Sequence, residues 1–238
     1  MALVDQDGTA IAPTKPQPIK VVICIPTRGE CKAGFALDLA RLVNMTARRA
    51  PHVSIAFVTG TGTLIHDLRS KIARDALQAD PDFLFWLDDD MRFPPDALTR
   101  LLAYQKDIVG TNYTTRTMPP KPTAKVMAED GIDFWHVPTP EGAKGLAEVD
   151  ACGFGCVMIR ADVFGKLDQP WFSMPWSPPK QMHVGEDVFF CVNAAKAGVR
   201  TFIDQGLSRE LKHVGAFEFA WDHYDALVEP SEKIEPAK

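Results

Sequence analysis

The chain has 238 residues, 46% hydrophobic and 24% charged, a composition that supports one sizeable buried core and excludes a disordered chain. Its formal charge of -5 provides no global field for attracting polyanions, so charge gives nucleic-acid binding no support. The five cysteines, Cys24, Cys31, Cys152, Cys156 and Cys191, are odd in number and lack C-x-x-C spacing, which argues against a disulfide framework or zinc knuckle and for reduced thiols in a cytoplasmic protein.

No run approaches the roughly 20 apolar residues of a membrane span, and the first residues lack the order of a signal peptide. Residues 1–18, with Pro13, Pro16 and Pro18, and the charged residues 229–238 predict flexible ends around a single domain over 19–228. That domain opens with Lys20-Val21-Val22-Ile23-Cys24-Ile25, a run suited to a strand buried on both faces, which stops at Pro26. Phe35, Leu39, Leu42 and Val43 predict a helix over 33–49. Val53 to Val58 reads as the second strand, Leu64, Leu68, Ile72 and Ala76 as the stripe of the next helix, and Phe83 to Leu87 as the third strand. This β-α-β-α-β order is that of a Rossmann-like nucleotide-binding half, whose ligand lies beyond the carboxyl ends of the strands. Short strands follow near 107–110, 132–136, 146–151 and 156–160, then a helix over 186–197, which predicts an α/β fold with a mixed central sheet.

Asp88-Asp89-Asp90 follows the third strand directly, and three adjacent carboxylates are relieved most simply by a divalent cation. Alternation along an extended segment would set Asp88 and Asp90 on one side and Asp89 on the other. The competing account is that the acids cap a helix beginning near Pro94-Pro95.

At this point the chain resembles the GT-A glycosyltransferases, particularly the small family 2-like enzymes of bacteria and phages, over roughly residues 20 to 215 by order of motifs. Val22 to Gly29 is similar to that family's opening strand and nucleotide-binding turn, and Asp88-Asp89-Asp90 to its D-x-D motif. The resemblance implies a GT-A fold and a donor site built from Pro26, Thr27, Arg28, Glu30, Asp88 and Asp89. It also implies Mn²⁺ or Mg²⁺ held by Asp90. Arg69 lies at the edge of a helical apolar stripe, where it either supports the D-x-D acids and the donor or lays its stem on the core with its head in solvent.

Asp150-Ala151-Cys152-Gly153-Phe154-Gly155-Cys156 resembles the family's glycine segment, in which the backbone of Gly153 and Gly155 would line the sugar pocket; the alternative is a tight turn between strands. His183-Val184-Gly185-Glu186-Asp187 is similar to the family's E-D motif, where the aspartate takes the acceptor's proton. Asp187 is thus the expected base and Glu186 an orienting acid, although the two could exchange roles and acids at a helix start are stabilising in any case. His213, after the E-D helix, is the expected second metal ligand by the same resemblance, with His183 as runner-up. The loop from Trp171 to Lys180 carries aromatics that fit either an acceptor surface, with Trp171, Trp176 and His183, or core packing. Phe217, Phe219, Trp221 and Tyr224 could close over the site or pack on another subunit.

The resemblance therefore implies a metal-dependent, inverting transferase that uses a nucleotide-diphosphate sugar, with UDP-sugar the commonest donor in related enzymes. It leaves the acceptor open among a cell-surface glycan, a soluble small molecule, a protein and a modified DNA base. A nucleotidyltransferase of similar layout and an inactive nucleotide-sugar-binding module are the rival readings. The first would normally carry a glycine-rich pyrophosphate loop where this chain has Pro26-Thr27-Arg28-Gly29-Glu30.

Overall fold

Successive side chains of a strand point to opposite faces, so an apolar run without polar alternation demands cover on both sides. A computed structural model describes residues 18–131 and 133–215 and provides that cover. The first half runs β1 (Ile19–Thr27), α1 (Ala33–Arg49), β2 (Val53–Thr61), α2 (Ile65–Leu77), β3 (Phe83–Leu87), β4 (Met91–Arg92), α3 (Ala97–Ala103) and β5 (Ile108–Gly110). The second half adds β6 (Lys125–Met127), β7 (Phe134–His136), β8 (Leu146–Val149), β9 (Cys156–Arg160), a 3₁₀ turn (Ala161–Lys166), β10 (Trp176–Ser177), β11 (Met182–His183), α4 (Glu186–Lys196), β12 (Thr201–Asp204), α5 (Gln205–Ser208) and β13 (Lys212–His213).

Seven strands form one sheet in the order β2-β1-β3-β9-β5-β12-β8. The pairs β1-β2, β1-β3 and β5-β12 are parallel, whereas β9 runs antiparallel to both β3 and β5, and β8 antiparallel to β12. Alternation divides the core in two. Val22, Cys24, Leu84, Trp86, Val157 and Ile159 face a layer built on α2 and α4, with Leu68, Ile72, Phe190 and Cys191. Val21, Ile23, Phe83, Phe85, Leu87 and Met158 face α1 and α3, with Phe35, Leu42, Leu98 and Leu101.

The fold class expected from the sequence, a Rossmann-like amino-terminal half within a mixed sheet, is the one observed, and α1 has the predicted bounds. Two expectations change. Asp88 to Asp90 does not continue β3 but turns, with Met91 N–H donating to the Asp88 carbonyl at 3.1 Å, so strict alternation does not apply to the three acids. The helix expected at Pro94-Pro95 starts at Ala97, well past these acids, and they make no cap bond to it. Phe217, Phe219, Trp221 and Tyr224 lie outside the described residues.

Candidate functional site

Strands β1, β2, β3, β5 and β12 run in one direction, so their carboxyl ends share one edge of the sheet, where ligands of open α/β sheets bind. A cleft of about 570 Å³ opens there. Its walls include Pro26, Thr27, Arg28, Glu30 and Lys32 after β1, Arg69 from α2, Asp88, Asp89 and Asp90 after β3, and Arg116, Glu186 and His213 from later in the chain. The turn after β1 is held by its own threonine, whose hydroxyl accepts from Gly29 N–H at 3.1 Å and donates to the Glu30 carbonyl at 3.2 Å. Gly29 sits at φ 115°, a conformation that favours glycine.

Arg69 lies at the centre, 2% exposed. Its Nη2 donates to Asp88 Oδ1 at 2.9 Å and its Nε to Glu186 Oε1 at 3.1 Å, which ties the acid after β3 to the start of α4. The guanidinium also lies 5.5 Å from the Trp86 ring centre and 5.7 Å from that of Phe154. A buried guanidinium needs anionic partners, and two of its three nitrogens have them; Nη1 has no protein partner among the described residues. Burial lowers the basicity of Arg69, yet the charges of Asp88 and Glu186 outweigh it and hold the guanidinium firmly protonated. Burial likewise pushes the Asp88 carboxyl up to about 6, against the lowering pull of Arg69 and with a smaller raising effect of Asp90.

Asp90 and His213 meet because β4 and β13 pair, with His213 opposite Met91 and Val214 N–H donating to the Asp90 carbonyl at 2.8 Å. His213 Nε2 lies 3.4 Å from Asp90 Oδ1, while its Nδ1 lies 2.9 Å from the Thr114 carbonyl and donates to it. That hydrogen bond presents Nε2 to the carboxylate, the arrangement that orients metal-ligating imidazoles. Burial raises the Asp90 carboxyl, but the hydrogen bond and charge of His213 and the charge of Arg116 prevail and leave it below its ordinary value. Among the described residues no three His, Cys, Asp or Glu side chains gather as a complete metal seat. Asp90 and His213 are the pair of ligand-type side chains in the cleft that could hold Mn²⁺ or Mg²⁺, ions that take many of their ligands from phosphates and water. The other Asp90 oxygen, Oδ2, accepts from Arg116 Nη1 at 2.5 Å.

Asp187 lies beside this cleft and is not one of its walls. Its Oδ1 accepts from Val188 N–H at 2.7 Å, which satisfies one donor of the α4 amino terminus. Burial first, and the charge of Glu186 second, raise its carboxyl above the ordinary value, and Lys125 moderates the shift.

Gly153 and Gly155 are buried and also stand apart from the cleft walls. A Cβ on Gly153 would run into the Tyr113 hydroxyl, and one on Gly155 would lie 2.8 Å from Tyr113 Cζ. Neither glycine has a positive φ, so space decides both positions: the Tyr113 ring fills it, and its hydroxyl accepts from Gly155 N–H at 3.0 Å. Packing against Tyr113 is reason enough for both glycines, whether or not their backbone also lines a sugar pocket as expected.

For Trp171 the core alternative is the one observed. It is buried, donates from Nε1 to the Phe164 carbonyl at 3.0 Å and packs on the Phe164 ring, so it belongs to the core. Trp176 and His183 are exposed and face each other on the ribbon of β10 and β11, with His183 Nδ1 2.7 Å from the Met174 carbonyl. Lys180 at the end of this ribbon pairs with Asp133 at 2.9 Å, beside the ribbon of β6 and β7.

Three neighbours of the site carried no weight in the sequence: Lys32, Tyr113 and Arg116. The last two follow the carboxyl end of β5, so the rule that singled out the acids after β3 applied to them as well. Asn112-Tyr113-Thr114 also spells a glycosylation sequon, but the Asn112 side chain is spent inside, on Val137, Thr139 and the Ala124 N–H.

No family model matches the chain, and no curated protein matches it in sequence. Among solved structures, A197 from STIV superposes with a TM-score of 0.51 at 17% identity, over 84% of this chain and 99% of that one. Drosophila β-1,4-galactosyltransferase 7, in complex with manganese, UDP-Gal and xylobiose, gives 0.48 at 12% identity over 88% and 74%. The 4-diphosphocytidyl-2C-methyl-D-erythritol synthase from Anaerococcus prevotii gives 0.34 at 10% identity over 63% and 74%. The likeness to A197 bears on fold alone, and the other two superpose too loosely to carry an argument. The fold is a mixed α/β arrangement around one seven-stranded sheet. No helix among the described residues is long and apolar enough to cross a membrane.

Proposed function

We propose that the chain is a metal-dependent, inverting glycosyltransferase that moves a sugar from a nucleotide-diphosphate sugar, with UDP-sugar the first candidate, to an acceptor nucleophile. One observation carries this reading. Arg69 joins the acid after β3 to the acid that opens α4, and Asp90 with His213 lies in the same cleft, so the two motifs that resemble the family's donor and base segments converge on one place. A fold can host many activities, and it is this grouping of side chains that supports the assignment.

In this reading Asp90 and His213 hold Mn²⁺ or Mg²⁺, which when bound supplies neutralising charge for the departing nucleoside diphosphate. Arg28 and Lys32 line the cleft without an ion pair among the described residues and face the same negative charge. Asp88, held by Arg69, and the turn from Pro26 to Glu30 position the nucleoside and sugar. Asp187 accepts the acceptor's proton. Its Oδ1 is taken by Val188 N–H, its carboxyl is more basic than an ordinary aspartate, and no cation binds it directly among the described residues, all of which suit a general base. Glu186, bonded to Arg69, keeps the orienting role. One base without an enzyme nucleophile gives inversion at the anomeric carbon.

The test is incubation with a panel of nucleotide sugars and Mn²⁺. Release of nucleoside diphosphate, suppressed by chelator and lost more severely in Asp90→Ala than in Asp89→Ala, is the expected result. Pyrophosphate would assign nucleotidyl transfer instead, and release of neither would leave a binding module.

A further inference from the structure

The contact between Arg116 and Asp90 is awkward for any cation seat that uses the same carboxylate. Asp90 has two oxygens, one facing His213 Nε2 at 3.4 Å and the other accepting from Arg116 Nη1 at 2.5 Å. A guanidinium that close and a divalent cation on the same carboxylate repel each other at a separation where solvent screening is weakest, since Asp90 and His213 side chains are each 14% exposed. Arg116 differs from Arg69 in being free to leave. Its side chain is 51% exposed and, among the described residues, forms its ion pair with Asp90 alone, while Arg69 is enclosed between two acids.

The backbone beneath Arg116 is held firmly, so the side chain moves from a fixed base. Thr115 N–H donates to the Lys121 carbonyl at 2.8 Å, Lys121 N–H donates to the Thr115 hydroxyl at 3.0 Å, and Thr114 bridges to Pro122. The stem of Arg116 runs beside Gly215, two residues beyond His213. Once off Asp90, the guanidinium still faces the cleft that Arg28 and Lys32 line, and a planar fork of donors suits phosphate oxygens.

We infer that Arg116 and the divalent cation exclude each other at Asp90, so that Arg116 guards the carboxylate when the cation is absent and turns to the donor's diphosphate when it is present. The inference rests on the proposed metal-dependent reading and adds a residue that couples the cation to the donor. Such coupling is reciprocal: whatever expels Arg116 from Asp90 favours a diphosphate, and a diphosphate that captures Arg116 favours the cation.

The experiment measures binding and needs no turnover. Mn²⁺ affinity of the whole chain is read by electron paramagnetic resonance of free Mn²⁺, and affinity for magnesium pyrophosphate by calorimetry, in the wild type, Arg116→Gln and Asp90→Asn, with a thermal melt of each. Arg116→Gln is expected to melt like the wild type, bind Mn²⁺ at least fivefold more tightly and bind magnesium pyrophosphate at least tenfold more weakly. Equal or weaker Mn²⁺ binding by Arg116→Gln, when the wild type binds Mn²⁺ and Asp90→Asn does not, would overturn the exclusion while leaving the metal-dependent reading intact. Unchanged pyrophosphate affinity would overturn the second half. Absence of Mn²⁺ binding from both the wild type and Arg116→Gln would sink the metal reading and this inference together.

Discussion

Gly153→Ala tests whether the glycines before β9 serve a ligand or a tyrosine. The added Cβ would collide with the Tyr113 hydroxyl and lie 2.8 Å from Cζ and 3.1 Å from Thr123 Cβ, so a close-packed ring must shift. Overpacking of this kind costs about 1–3 kcal/mol. For a chain of this length each kcal/mol lowers Tm by roughly 2–4 °C, so the expected fall is about 2–12 °C. Tyr113→Phe removes the colliding atom but also the acceptor of the Gly155 N–H, a loss of about 1–3 kcal/mol by itself. In the double variant the two costs should fall short of their sum by more than about 0.5 kcal/mol, because the worst contact exists only when both groups are present. Gly155→Ala provides the contrast: its Cβ would meet Cζ at 2.8 Å and Cε1 at 3.0 Å as well as the hydroxyl at 2.8 Å, so removing the hydroxyl relieves less. Urea unfolding of the single and double variants gives the cycle. Strict additivity, or a wild-type melt for Gly153→Ala together with weakened donor binding, would refute the packing account and return Gly153 to a ligand-lining role.

Three further outcomes are expected. Arg69→Met leaves Asp88 and Glu186 without their shared cation, a loss of about 3–5 kcal/mol in urea unfolding, and a loss under about 1 kcal/mol would mean the pair of bonds is not what holds α4 to β3. Asp187→Asn should fold normally and lose transfer about 10²-fold or more; in the wild type the acid limb of the rate profile should lie above the ordinary aspartate pKa of 3.8, since only the deprotonated base works and its pKa is raised. Asp88 has a folded pKa of about 6 against an unfolded 3.8, so the folded chain binds the proton more tightly and this group's contribution to stability declines as pH rises through that window. Asp88→Asn should flatten that part of the profile, and an unchanged slope would show that other groups set it.

The parts of the fold that the sequence reveals are those with a period. Phe83-Leu84-Phe85-Trp86-Leu87 has apolar residues for two helix layers, and Phe35 and Leu42 mark the inner face of α1. Asp88 and Asp90 could be placed near the site because they follow such a strand. By contrast, two-residue strands have no period, so the pairing of Lys212 and His213 with Arg92 and Met91, which brings His213 to Asp90, is invisible to pattern. The insertion of antiparallel β9 between β3 and β5 depends on contacts far apart in sequence, as does the wedging of Tyr113 against Gly153 and Gly155. Arg69 showed the edge of a helical stripe but not which of its two fates, buried pair or exposed head, would prevail; that depended on Asp88 and Glu186 arriving from other elements.

The ribbon of β4 and β13 has a consequence for how the site behaves in time. Among the described residues two residue pairs, the Val214 to Asp90 bond, the His213 bond to the Thr114 carbonyl and the edge of the Tyr113 ring join His213 to the rest of the cleft, whereas the strands beneath are locked between two helix layers. Such short ribbons open at a far smaller free-energy cost than the core, and do so without global unfolding. The contact of Asp90 with His213 is therefore expected to open and close as a latch, on its own clock. A ligand that bridges the two closes the latch and is expected to slow amide exchange at Val214 long before it raises the melting temperature of the sheet.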